Sequence, residues 1–275
     1  GNINHGDFER PSSSSEVFTD ATGKQVYARQ TESKSNGAFS FIGLSPRINW
    51  MLENGDMITS QSFINANRFT FRNTDVTSTS QPDERLYLNS ASNGSSSSAS
   101  ARTNLNWVHK LADSAKLDVR FGANVNRRSS DNTFIANSSK QNLSRVASSS
   151  NTDNGFTFGG KYTAPFVEDH AIAAGWDGGY STRDDENKQS DSLSGTGVIR
   201  PINLNETFNA DVKRLALYVQ DEWTVSKLWS VYAGIRWEGI DTHSAGSDYA
   251  EVNNRSSVLS PILQTLYKLP GSKND

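Results

Sequence analysis

Cysteine is absent from the sequence, which removes disulfide frameworks, thiolate metal sites and cysteine nucleophiles together. Apolar residues are scarce as well. They make up 34% of 275 residues, and the mean hydropathy is −0.63, too little for a conventional core in a chain of this size. Two kinds of chain fit that composition: a largely disordered one, or strands that spend one apolar residue in two and carry long polar loops. No apolar run approaches the roughly 18 residues of a transmembrane helix, an absence that leaves a transmembrane barrel open. Excess positive charge is missing too. A net charge of −3 and a pI near 5.9 give no basic footprint, so nucleic acid is not an expected partner. Gly1 follows neither a Met nor a signal peptide, and "LPGSKND" closes the chain without a terminating element. Both ends read as cut, as in an internal piece of a longer protein.

What the sequence does contain is alternation. In "KLDVRFGANVN" (116–126), Leu117, Val119, Phe121, Ala123 and Val125 alternate with Asp118, Arg120, Gly122, Asn124 and Asn126. Period two over this length predicts a strand with one apolar and one polar face. The rhythm returns at Ile42, Leu44, Ile48, Trp50 and Leu52, at Phe156, Phe158 and Tyr162, at Ile172, Ala174, Trp176 and Tyr180, and at Leu259, Leu263 and Tyr267. It is densest in "RLALYVQDEWTVSKLWSVYAGIRWEGI" (214–240). There Leu215, Leu217, Val219 and Trp223, then Trp229, Val231, Ala233, Ile235 and Trp237, form one face, with Asp221 its one charge.

The connections alternate as well. "ENGD" (53–56), "ADS" (112–114), "VED" (167–169) and "TVSK" (224–227) read as hairpin turns. Segments 73–100, 129–154, 184–210 and 241–256 read as long polar loops, beyond the usual length in a compact domain. The expected fold is therefore all-β: a transmembrane antiparallel up-and-down β-barrel, present as about nine strands with short periplasmic turns and long extracellular loops. Trp50, Trp107, Trp223 and Trp229 lie close to the short turns, where indoles form an aromatic girdle at the headgroups. Outer-membrane lipid then covers the apolar face. "PSSSSE" and "NSASNGSSSSASA" are expected to be solvated linker inside the long loops. Pro46 and Pro261, each in "LSP", are expected near the loop end of a strand, where pairing frays or bulges.

"LALYVQDEWTVSKLWSVYAGIRWE" resembles a recurrent hairpin of the TonB-dependent outer-membrane receptors, and "LSPRINWMLENGDMITSQSF" is similar to an earlier hairpin of those barrels. The resemblance implies a 22-stranded barrel behind an N-terminal plug in the bacterial outer membrane. It also implies active uptake of a scarce ligand of the iron-siderophore, cobalamin or saccharide type, with energy from the TonB complex acting through the plug region. On this reading the whole chain, 1–275, is part of the barrel domain: 1–36 an extracellular loop, 37–269 strands and loops, the plug and the remaining strands not included. A non-transporting outer-membrane or secreted β-protein, such as an adhesin or a passive porin-like barrel, is the alternative.

Enzyme chemistry is not expected. His5, His109, His170 and His243 lack metal-ligand spacing, so neither a metal nor a cofactor is expected. Asp221 with Glu222, or Glu238 with Asp241, could be paired as acid and base, but charged residues are ordinary on a lumen wall. Candidate ligand contacts are Arg120, Arg236 and Glu238 in the lumen, with Tyr180, Tyr249 and Phe134 in loops; a metal chelate is the kind of small molecule anticipated. Gly178 and Gly179, within a strand, predict a bend or a closely approached backbone.

Overall fold

The alternation at 116–126 does form a strand, and so does almost everything around it. A computed structural model describes residues 1–80, 87–195 and 200–269. The strands are β1 (Asn2–Thr19), β2 (Gln25–Leu44), β3 (Arg47–Met51), β4 (Met57–Thr79), β5 (Asn89–Lys110), β6 (Lys116–Asn137), β7 (Asn142–Val167), β8 (His170–Ser194), β9 (Arg200–Ser226), β10 (Trp229–Gly246) and β11 (Tyr249–Tyr267). Successive strands pair antiparallel, except that β3 continues β2 and both pair with β4, so the sheet is a meander from β1 to β11. The interruption between β2 and β3 falls at Pro46, whose carbonyl still accepts a bond from the Ser62 amide. Pro261 sits in the middle of β11 opposite Ile235, not near a loop as expected. Among the described residues only β10 flanks β11, so in this sheet the missing proline donor falls on an edge strand.

The register sorts residues onto two faces. One hydrogen-bonded row runs Trp50, Ile58, Trp107, Val119, Gly160, Trp176, Leu217, Trp237 and Leu259. The adjacent row, on the opposite face, runs Asn49, Thr59, Asn106, Arg120, Gly159, Asp177, Ala216, Glu238 and Val258. All six tryptophans lie on the apolar face. Its apolar runs, such as 117–125, 215–223 and 229–237, match the roughly 9–11 tilted residues that cross a bilayer. Polar residues succeed them: Arg127 on β6, Lys213 and Asp211 on β9, Asp241 and His243 on β10. Asp221, the charge expected on this face, is held by His170 at 2.7 Å, and His170 stacks on Trp223 at 5.4 Å. A second cluster of the same composition lies at the β3–β4 turn: Asp56 accepts from Trp107 Nε1 at 3.1 Å and stands 2.8 Å from His109 Nδ1.

Strand number and loop length differ from the sequence expectation. Among the described residues the sheet has eleven strands where about nine were expected, and much of each segment read as a long loop is paired. Residues 2–19 and 25–36, expected as loop, are β1 and the first part of β2; "NSASNGSSSSASA" is the body of β5. Residues 81–86 and 196–199, within two of the expected loops, and 270–275 lie outside the described residues. The physical reason is that strands outside a membrane need no apolar face to continue a ladder already begun. Cross-strand hydroxyl pairs supply local support: Ser97–Ser129 and Ser130–Ser149 at 2.9 Å, Thr31–Thr77 at 3.1 Å. The short turns form near their expected positions, with Gly55 (φ 85°), Ser114 (φ 63°) and Asp169 (φ 67°) in the left-handed region. The last of them shifts, because 224–226 remain in β9 and only Lys227 and Leu228 turn.

Candidate functional site

Side chains with charge and aromatic character meet on the polar face of β6 to β10. Arg236 is the hub. Its Nη1 lies 3.6 Å from Asp177 Oδ2, its Nε bonds Glu238 two residues on along the same face, and its guanidinium sits 5.6 Å from the Tyr218 ring. Tyr218 lies over Gly175, where a Cβ would come within 2.4 Å of the phenol. Glycine therefore lets the aromatic ring lie flat against the sheet. Beside it Tyr232 donates to Gln220 at 2.7 Å. A cleft of about 530 Å³ opens here, with Asp177, Arg214, Arg236, Glu238 and Ser256 in its wall. Arg120 occupies the same row as Asp177 and Glu238, separated by the small residues Gly159 and Ala216.

Arg120, Arg236 and Glu238 thus share the polar face. Tyr180 does not: it lies in β8 on the apolar side, against Phe156 (6.0 Å) and Lys213 (6.0 Å). Tyr249 opens the edge strand β11 and is 69% exposed. Phe134 lies within β6 opposite Arg145. Neither proposed carboxylate pair shares a face, since Asp221 and Glu222 are consecutive in a strand and Asp241 lies opposite in parity to Glu238. Gly178 is closely approached as expected, by the Phe158 ring 2.4 Å from the position of a Cβ.

A second constellation escaped sequence reasoning. Phe8, Phe39, Phe69 and Phe71 are on the polar face, beyond the apolar runs of the other side. Phe8 stacks on Phe69 with centroids 5.6 Å apart and planes within 5°, and Phe69 stacks on Phe71 at 6.0 Å. The available signal was that odd positions of β4 carry Phe63, Phe69 and Phe71 while even ones carry Ile58 and Ile64. A strand apolar on both sides marks a polar wall with an apolar patch.

A sheet with a lipid-length apolar band, tryptophans along it and charges on its other face is a segment of an outer-membrane β-barrel. Residues 27–270 match the model of the TonB-dependent receptor-like β-barrel, and the chain belongs to that family. Its place is the outer membrane of Gram-negative bacteria. Among solved structures it is similar to BauA, the ferric preacinetobactin receptor of Acinetobacter baumannii (10% identity, TM-score 0.44, covering 98% of this chain and 46% of that one). It is similar also to the siderophore receptor PiuA of Acinetobacter baumannii (13%, 0.41, 96% and 47%). A further similarity is to the outer membrane protease OmpT of Escherichia coli (10%, 0.29, 97% and 95%). The chain spans less than half the length of the two receptors. No curated protein sequence matches it.

Proposed function

We propose that the protein to which this chain contributes is an active uptake receptor, drawing a scarce solute from outside the cell through its barrel with energy supplied by the TonB complex. The observation that carries this reading is the family match along 27–270, over strands that present a lipid band on one face and a charged, cleft-bearing wall on the other. The wall on β6 to β10 offers paired charges and phenols along a permeation path, and among the described residues it brings together no nucleophile and base, so conduction and binding fit it better than catalysis. Arg120, Arg236 and Glu238 are then lumen contacts. TonB acts through an N-terminal plug region. The solute classes in question are iron-siderophores or other metal chelates, cobalamin and saccharides.

Uptake measured in whole cells tests this. Radiolabelled iron chelates, cobalamin and oligosaccharides are offered to the parent strain, to a strain deleted for the receptor, and to one lacking TonB. Uptake of one solute should fall to background in both deletions. Uptake that needs the receptor but persists without TonB would establish the passive porin-like alternative.

A further inference from the structure

The phenylalanine patch on the polar face has a composition that selects among solute classes. In one hydrogen-bonded row stand Phe8, Gly37, Phe71, Gly94 and Asn132. The Phe8 ring lies over Gly37, where a Cβ would meet it at 2.9 Å, and the Phe71 ring lies over Gly94, where a Cβ would meet it at 2.6 Å. With rings flattened onto glycine and stacked through Phe69, the patch is a continuous aromatic surface. Phe69 remains 38% exposed and Phe39 42%.

Most of the polar groups around these rings are hydroxyls and amides. Asn73 follows Phe71 two residues on along the same face, and Asn132 stands in the Phe71 row. The Oδ1 atoms of both are buried without a hydrogen-bond partner. A buried acceptor left unpaired is destabilising, which a ligand donor reached by rotation of the amide offsets. Ser92 and Ser96 flank Gly94 on the same face. Charged groups nearby are few: Arg10, a cation 5.5 Å from the Phe8 ring, Asp75, which accepts from Ser90 at 2.7 Å, and Arg145, which holds Asp191 through two bonds of 2.8 and 2.7 Å. One cation with a carboxylate near it carries too little net charge to neutralise a multiply charged chelate, and the surface suits a neutral ligand better.

From this we infer that the Phe8–Phe69–Phe71 surface is a docking platform for a neutral saccharide. The apolar C–H face of a pyranose lies on the rings, and its hydroxyls donate to Asn73 and Asn132. This rests on the uptake reading above and gives the solute class for it.

The test uses the full-length receptor in detergent, its folding verified by heat-modifiable migration, with maltohexaose, cellohexaose and xylohexaose as calorimetric probes and the ferric complex of 2,3-dihydroxybenzoate as the charged aromatic counterpart. At least one hexasaccharide should bind. Phe71→Leu, which keeps apolar bulk but loses the ring face, should weaken it by about tenfold, and Asn132→Ala should weaken it severalfold. Ile235→Ala on the lipid face should leave binding unchanged. Absence of binding by all three sugars, undiminished binding by the folded Phe71→Leu receptor, or binding of the ferric complex instead with loss on Phe71→Leu would each overturn the inference. TonB-dependent uptake of a chelate alongside any of these failures leaves the transport reading standing. Sugar binding without TonB-dependent uptake leaves the platform standing and removes the transport reading.

Discussion

Ile235 and Arg236 are neighbours in β10, yet their side chains meet different media. Ile235 pairs with Val219 and Pro261 on the apolar face, whereas Arg236 reaches Asp177, Glu238 and Tyr218 on the polar one. Replacing Ile235 with Arg in the intact barrel places a charge in hydrocarbon and should cost roughly 2–4 kcal/mol. Arg236→Gln should be far milder, because water and the remaining lumen groups solvate what it leaves. Folding titrations into lipid vesicles check the pair, and equal penalties would reverse the face assignment. The same logic explains Asp221 and Asp56. Charges near the turns survive on the apolar side because a histidine partner stands beside each and an indole accompanies both clusters, at the depth where polar groups still reach headgroups.

At the scale of strands and hairpins, legibility in the sequence followed the bilayer. Within the band the lipid demands one apolar residue in two, so 116–126 and 214–240 announce their strands and their faces. Beyond it that demand lapses, and β5, β7 and β8 continue as serine, asparagine and charged residues whose pairing is dictated by neighbouring strands and leaves no periodicity to read. Arg120, Arg236 and Glu238 were legible as a polar face because they alternate with apolar residues. The phenylalanine surface was not, since Phe8 lies in a stretch with no apolar rhythm and only the register brings it beside Phe69 and Phe71.

The tip of the β7–β8 ladder, well beyond the band, offers a test of what holds such extensions. Arg145 bonds Asp191, and that hydrogen bond is the main reason the Asp191 carboxyl is held below its ordinary value. A carboxylate with a depressed folded-state pKa contributes stability above its unfolded pKa of about 3.9, and the contribution is lost as pH falls through the folded value. Arg145→Ala should therefore make local opening at 142–147 and 189–194 easier at neutral pH, by roughly 1 kcal/mol or less because the arginine is partly solvated and Gln189 still donates to Asp191. Below the carboxylate range the variant and the parent should converge. Hydrogen exchange corrected for intrinsic rates measures both, and a gap that persists in acid would assign the effect to packing of the arginine stem.

As a whole molecule the sheet is organised around a solvent it does not contain. Its accessible surface is 18967 Å², against roughly 12,000 Å² for a compact globular protein of this mass. Among the described residues the buried apolar side chains are four alanines, Ala115, Ala136, Ala173 and Ala216. Burial of large side chains, the usual dominant stabilising contribution, has to come from lipid on one face and from closure of the barrel at β1 and β11. Those two strands each have one unpaired edge, and the outermost apolar residues are nearly bare, Ile3 at 77% and Leu263 at 78% exposed. An open edge templates intermolecular pairing in water, and in hydrocarbon its unsatisfied amides and carbonyls are not tolerated, so neither medium suits the 275-residue chain by itself. Expressed alone and refolded without detergent, it should form β-rich aggregates, whereas the complete receptor should be a heat-modifiable membrane protein. Sedimentation with far-ultraviolet circular dichroism decides the matter. A monomer that unfolds cooperatively in plain buffer would mean that the apolar face finds protein cover, and the lipid-facing assignment of Val119, Phe121, Leu217, Val231 and Ile235 would fall with it.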